Sequence, residues 1–351
     1  MEKPSFSVFQ IASAYIGTVV GAGFASGQEV LQFFDAFGLA GLWGILVSTV
    51  LFFFVGYTIL MLGHKLKAQS HVQIVRFTNG PVLGLFIDII ITVFLFGGLS
   101  AMIAGAGAIF KEQFSVSPLW GTALMALITL LTVVTGTRGV INAISYVVPF
   151  LIVSVLYISI SSLIRNPVTA EEIDIASDLP GATPNWLLSA VNYASYNVVT
   201  TIGVLTPMGA GTQDKKKLLH GALLGAAGLG VGLVAIYFCI LTNISAASVK
   251  ELPMIEAAGR ISGILRMVFA VVLFAEVYTT AVSDLYSLSQ RLSFKIPRKL
   301  FIAAATCLAL LAGQLGFSNM VRFLYPAVGY GGLAFFAGVV WVWIAKRDAV
   351  T

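Results

Sequence analysis

The sequence predicts an all-α polytopic membrane protein: ten transmembrane helices in a 5+5 inverted repeat, with helices 1 and 6 broken. Three observations carry this. First, 58% of the 351 residues are hydrophobic and only 10% charged, whereas soluble domains carry about 25% charged residues; the mean hydropathy is +0.96. Second, the apolar residues come in continuous runs of the length a helix needs to cross a bilayer, about 20 residues. A transmembrane β-barrel would instead show alternating segments of about 10 residues. Third, the chain divides into two halves of nearly equal length, each opening with a span that carries polar or helix-breaking residues in its middle.

The spans are read at 7–34, 38–63, 82–111, 118–136, 140–164, 186–209, 216–242, 257–291, 299–315 and 319–346. Residues 1–164 form the first five-helix repeat, 165–185 an acidic extracellular loop, and 186–351 the second repeat. Five is odd, so the second repeat must sit upside down relative to the first. The third span of each half (82–111 and 257–291) is longer than a perpendicular crossing requires, and tilt accommodates the excess. Inverted-repeat transporters place their solute site at discontinuous helices near the bilayer midplane.

Ten spans bring both termini to one side, and the basic residues choose it. Fourteen of the twenty Lys and Arg residues fall in loops on the N-terminal side, including Lys3, Lys65, Lys67, Arg76, Arg138, residues 215–217, Lys295, Lys346 and Arg347. The opposite side carries Glu171, Glu172, Asp174 and Asp178. Positive loops stay inside, so both termini are expected in the cytoplasm. The net charge of +5 is this orientation signal and implies no nucleic-acid partner. Cys239 and Cys307 lie in apolar segments without CxxC spacing, and His64, His71 and His220 are scattered, so neither a disulfide framework nor a metal site is indicated. The first apolar run continues into glycines without a cleavage signature, so a cleaved signal peptide is not expected.

In the first span, Gly17, Gly21, Gly23 and Gly27 fall within twelve residues. Glycine costs a helix interior up to about 1 kcal/mol, and four so close predict an unwound stretch. Such backbone is tolerated at membrane depth only where it is buried or lines a cavity. Gln28 and Glu29 follow, still inside the span. Residues 17–24 resemble the unwound first helix of the leucine-transporter (LeuT) fold of the amino acid–polyamine–organocation superfamily. The whole chain resembles the bacterial YkvI-like group, regarded as amino acid permeases. The resemblance implies a multi-pass protein of the bacterial inner membrane that moves a small solute by alternating access.

The sixth span contains Asn192, Tyr193, Ser195, Tyr196, Asn197, Thr200 and Thr201. The repeat predicts a break here too, at 194–199. Gly21, Ala22, Gly23, Tyr193, Ser195, Tyr196 and Asn197 are then expected to line the solute site, with Ser100 joining them from the small-residue run 97–107 of the third span. The resemblance further implies a sodium site built from the carbonyls of Gly17, Val20 and Glu276 and the hydroxyls of Thr279 and Thr280. Oxygen-only coordination suits a hard cation. The family's second sodium site would need an Asn side chain where this chain has Phe24. The fifth span also lacks the lysine that replaces sodium in one proton-coupled variant.

Glu29, Asp88, Glu276 and Asp284 all fall within spans, where ionisable groups are functional candidates as proton carriers or gates. The leading expectation is therefore sodium-coupled symport of an amino acid or a similar zwitterionic or anionic solute, with sodium as coupling ion and no other cofactor. The alternatives are proton coupling and a transporter-like receptor without flux. Enzyme motifs such as HExxH and GxSxG are absent. The sequence leaves substrate identity and oligomeric state open.

Overall fold

The computed structural model describes residues 6–68, 70–135, 137–291 and 297–345, with side chains described except at 137–149, 290 and 291. The termini, and with them Lys3, Lys346 and Arg347, lie outside the described residues, as do Lys295 and the side chain of Arg138.

The first span is three short helices. Ser7 opens α1 (Val8–Val19) with a reciprocal capping box to Gln10. The chain then leaves helical geometry at Val20 (φ −73°, ψ 99°) and Gly21 (φ −115°, ψ −171°) before α2 (Ala22–Ser26) begins. Gly27 adopts a left-handed conformation (φ 82°), which favours glycine, and α3 (Gln28–Phe33) follows. The predicted break in helix 1 is therefore present, with a second interruption one helical segment later.

Helix α4 (Ala40–Leu66) returns through the bundle, and α5 (His71–Phe114) follows. Gly80 (φ 73°, ψ 179°) and Pro81 divide α5 into an arm over 71–79, capped by Ser70, and a long rod over 81–114. At 1.5 Å per residue the rod is about 50 Å long, well beyond a 30 Å hydrocarbon core, as the tilt argument requires. Next come α6 (Pro118–Thr135) and α7 (Thr137–Arg165). The acidic loop holds α8 (Ala170–Ser177), capped by Thr169 and Glu172.

The second half contains α9 (Trp186–Gly211), α10 (Lys215–Leu241), the short α11 (Ile244–Ala247) and α12 (Pro253–Ile261), α13 (Gly263–Arg291), α14 (Arg298–Ala312), α15 (Phe317–Asn319) and α16 (Tyr325–Ala345). A π-helical turn, Met320–Leu324, joins the last two. Seven of the described helices or helix runs are long and apolar enough to cross a membrane; Val8–Val19 and Phe150–Arg165 are shorter apolar helices.

The expected break in helix 6 is not there: α9 runs unbroken through 194–199. The polar side chains read as cavity-facing have found partners instead. Asn192 donates to the Pro326 carbonyl (2.9 Å), and Ser195 donates to the Gly329 carbonyl (2.8 Å), both on α16. Asn197, Thr200 and Thr201 donate to carbonyls of their own helix. There is no glycine at 194–199 to weaken the helix, and the donors of Asn192, Ser195, Asn197, Thr200 and Thr201 are all satisfied without unwinding it.

Helices α1, α4, α9 and α10 pack together as one group, while α5, α6, α13 and α14 form a second. Within the first group glycines set the spacing. A Cβ at Gly209 would lie 2.9 Å from the Leu60 backbone carbon, and one at Gly63 would meet the Thr206 carbonyl oxygen. The α16 helix lies against both α9 and α5.

Candidate functional site

The break at Val20–Gly21 sits between the two helix groups. Because α1 ends there, the carbonyls that follow Ile16, whose own oxygen still accepts from the Val20 amide (2.8 Å), have lost their i+4 amides. One, that of Thr18, accepts from the Thr200 hydroxyl at 3.3 Å. Thr280 of α13 stands across the break: a Cβ added to Gly21 would lie 3.9 Å from its Oγ1. Thus Thr280 stands beside the break that follows Val20, while Gly17, another expected sodium ligand, lies one turn earlier on α1. Thr279 is differently engaged, its hydroxyl donating to the Glu276 carbonyl at 2.9 Å.

One turn beyond the break lies a second cluster. Glu29 folds back over Gly23, so that a Cβ there would stand 2.6 Å from Glu29 Cγ and Cδ. The Glu29 carboxylate accepts a hydrogen bond from the Tyr196 hydroxyl. The contact ties α3 to α9 across 167 residues of sequence. Tyr193, one turn before Tyr196, is fully buried with its hydroxyl facing Glu29, Tyr196 and Asn197. Its ring meets Tyr196 edge-on, with centroids 5.4 Å apart.

The sequence reading missed Tyr325 of α16, whose ring centroid lies 5.1 Å from that of Tyr196 and which is within electrostatic reach of both Glu29 and Asp284. Phe94 of α5 closes the group, 5.8 Å from Tyr325. Asp284 of α13 reaches α5 at Gly98, where an added Cβ would sit 2.5 Å from its Oδ2. The small-residue run of α5 is therefore what lets α13 bring a carboxylate close.

Other predicted residues are placed elsewhere. Ser100 is two positions from Gly98, about 200° around the helix, and donates to the Phe96 carbonyl. Ser195 faces α16. Asp88 pairs with His71 of the α5 arm at 3.2 Å. Glu276 is buried with its Oε2 unpartnered. Two further polar groups escaped notice: Gln32 and Asp35. With Gln28 they fall at i, i+4 and i+7, the spacing of one helical face, and that pattern was readable.

The two sides of the break differ in access. Residues 22–36 are all buried, and on that side the Ala182 amide donates to the Gln32 carbonyl (2.9 Å). The Glu251 carboxylate accepts from the amides of Phe317 (3.0 Å) and Ser318 (3.4 Å). Toward the start of α1, by contrast, Gly17, Thr18, Gly21, Thr200 and Thr280 are half-exposed, and Gly203 is exposed. An apolar groove of about 540 Å³ between α4, α7 and α10 is a separate feature. Its lining includes Leu46, Ile160 and Val231, exposed apolar side chains of the bundle's outer surface.

No family model matches the chain. It is 30% identical over 342 residues to the uncharacterized membrane protein YkvI of Bacillus subtilis, covering 97% of both chains. Among solved structures it is similar to MhsT in complex with L-phenylalanine, with a TM-score of 0.69 at 18% identity over 97% of this chain and 90% of that one. It is also similar to an Eremococcus coleocola manganese transporter (TM-score 0.64, 14% identity, 97% and 84% covered). A third is a Na+-coupled sialic acid symporter in a substrate-bound outward-open state (TM-score 0.63, 15% identity, 98% and 85% covered).

Proposed function

The chain belongs to the family of the Bacillus subtilis membrane protein YkvI and has the LeuT fold, and from that premise we propose that it is a secondary active transporter working by alternating access. In this reading residues 1–164 and 186–351 are the inverted repeats, both termini are cytoplasmic, and the half-exposed side of the break faces the cytoplasm. The structure then corresponds to an inward-facing state, with Ala182, Glu251 and α12 closing the outside.

The observation that carries the proposal is the break at Val20–Gly21 with Thr280 beside it. Carbonyls freed at the end of α1 and a facing hydroxyl form an oxygen-lined position of the kind a hard monovalent cation takes. Sodium is the coupling ion in this reading. Its ligands come from the Gly17 and Val20 carbonyls and the Thr280 hydroxyl, with Thr279 and the Glu276 carbonyl completing the set. The solute, an amino acid or similar small zwitterion, sits between Gly21, Ala22, Gly23, Tyr193, Tyr196 and Asn197. The amino acid assignment draws support from MhsT; the manganese transporter is the counterweight, because one fold serves different cargoes.

The Glu29–Tyr196 contact supports a second reading, proton coupling. A carboxylate joining helix 1 to helix 6 accepts a proton on one side of the cycle and releases it on the other. Purified protein in liposomes decides between them. Uptake of labelled amino acids driven by an inward sodium gradient supports sodium coupling. Uptake that ignores sodium and collapses with the proton gradient supports the second. No uptake under either gradient, across the twenty standard amino acids, refutes the amino acid symporter.

A further inference from the structure

Asp35 opens the short helical turn Asp35–Phe37 between α3 and α4. Its side chain is fully buried, and both carboxyl oxygens lack a hydrogen-bond partner. Among the described residues no other carboxyl has both oxygens buried and unpartnered.

The surroundings offer it neither a donor nor a positive charge. Helices α3, α4, α8 and α10 pack against the turn. From α10, Tyr237 and Cys239 lie within electrostatic reach. Tyr237 has committed its one hydroxyl proton to the Gly38 carbonyl (2.7 Å), and the Cys239 thiol faces Ser159 and Ser162. From α3, Glu29 turns away to Tyr196. In α8 and its cap, Glu171, Asp174 and Asp178 are exposed, and Glu172 serves Thr169. Residues 40–54 of α4 include no titratable side chain. A buried carboxylate without donor or counter-charge is costly, whereas the neutral acid is accommodated. Burial accordingly holds the Asp35 carboxyl well above the usual carboxylate range.

What covers Asp35 is the segment assigned above to the outer closure. A Cβ at Gly38 would stand 2.2 Å from Ser177 Oγ of α8, and one at Gly181 would stand 2.6 Å from the Phe37 ring. The Ala182 amide donates to the carbonyl of Gln32, three residues before Asp35. Releasing these contacts lets water reach the carboxyl, which then returns to an ordinary pKa of about 4.

Resting on the inward-facing reading above, we infer that Asp35 is a proton-binding site that governs the outer closure: its neutral carboxyl keeps the turn locked under α8 and residues 181–182, and loss of the proton to the outside unlocks it. The proton comes from and returns to one side, so it controls opening and carries no driving force, unlike a coupling proton at Glu29. Its stabilisation of the closed form is full below about pH 4 and is lost as the external pH rises from there toward the raised pKa of Asp35.

The test is the rate at which an impermeant maleimide modifies Thr183→Cys, a buried position next to Ala182, in cells expressing the full chain at external pH 5 to 8. Exposed Cys307 is replaced by serine, and buried Cys239 stays as a neighbour of Asp35. Dividing by the rate at exposed Ser245→Cys removes the titration of the thiol itself. One proton shifts the open fraction by up to about tenfold per pH unit. The corrected rate is expected to rise at least about tenfold from pH 5 to 8, and to stay slow and flat in Asp35→Asn, which is permanently neutral. A flat wild-type profile, or a rise that survives in Asp35→Asn, overturns the inference. A rate that rises with acid has the wrong sign and overturns it too. Thr183→Cys modified as fast as Ser245→Cys at every pH would remove the closed outside itself, and with it the inward-facing reading.

Discussion

Gly23→Ala tests whether the Glu29–Tyr196 contact matters to solute binding. The new methyl would lie 2.6 Å from both Cγ and Cδ of Glu29, where carbon atoms prefer about 3.5–4.0 Å. The carboxyl end must therefore retreat by about 1 Å, which lengthens and weakens its hydrogen bond to Tyr196. What obstructs the methyl is the far end of a flexible side chain, so the helix around it survives, and alanine favours the helical state over glycine by up to about 1 kcal/mol. A hydrogen bond to a charged group contributes about 1.5–3 kcal/mol, a factor of roughly 10–150 in affinity at about 1.4 kcal/mol per decade. The assay is solute affinity by ligand-dependent thermal shift, alongside the unliganded melting temperature. Gly263→Ala is the control, since a Cβ there meets nothing within 4 Å. Wild-type affinity in Gly23→Ala, or a fall in unliganded stability that accounts for the whole effect, would refute the reasoning.

Three further outcomes are expected. Gly209→Ala places a methyl 2.9 Å from the Leu60 backbone carbon; backbone cannot step aside, so it should destabilise the protein by about 1–3 kcal/mol, read as a lower melting temperature with and without solute. Thr280→Val should abolish the difference between sodium and potassium buffers in solute-induced stabilisation, while Thr279→Val, whose hydroxyl already serves the Glu276 carbonyl, should retain at least half of it; equal effects would argue against Thr280 as the facing ligand. Glu251→Ala removes the acceptor for the Phe317 and Ser318 amides, each bond contributing about 1 kcal/mol. A cysteine placed by Ser318→Cys, in a background without Cys239 and Cys307, should then react with an impermeant maleimide roughly fivefold faster or more, and an unchanged rate would show that the closure rests elsewhere.

The first break was legible because it is local: glycines at 17, 21, 23 and 27 change backbone preference whatever the rest of the chain does. Helix 6 was misread because its evidence was not local. Asn192 and Ser195 looked stranded in an apolar span, yet their partners are carbonyls of α16, each 134 residues away. Polarity in a span announces a need for partners and says nothing of whether a ligand or a neighbouring helix supplies them. Tyr325 was overlooked for the same reason, since an aromatic among glycines in the tenth span carries no mark of the carboxylates it approaches. The Gly80–Pro81 corner was readable as a dipeptide, and it was taken for the edge of a span when it joins two helices.

An unbroken α9 beside a broken first span makes the two halves mechanically unequal. At 1.5 Å per residue its 26 residues form a rod about 39 Å long. A rod pivoting at Tyr196, where it meets Glu29, has arms of about 15 and 22 Å and behaves as a seesaw: a tilt of about 10° carries its two tips about 2.6 and 3.9 Å in opposite directions. Whatever draws one tip inward pushes the other out, and the break in the first span is left to absorb the difference.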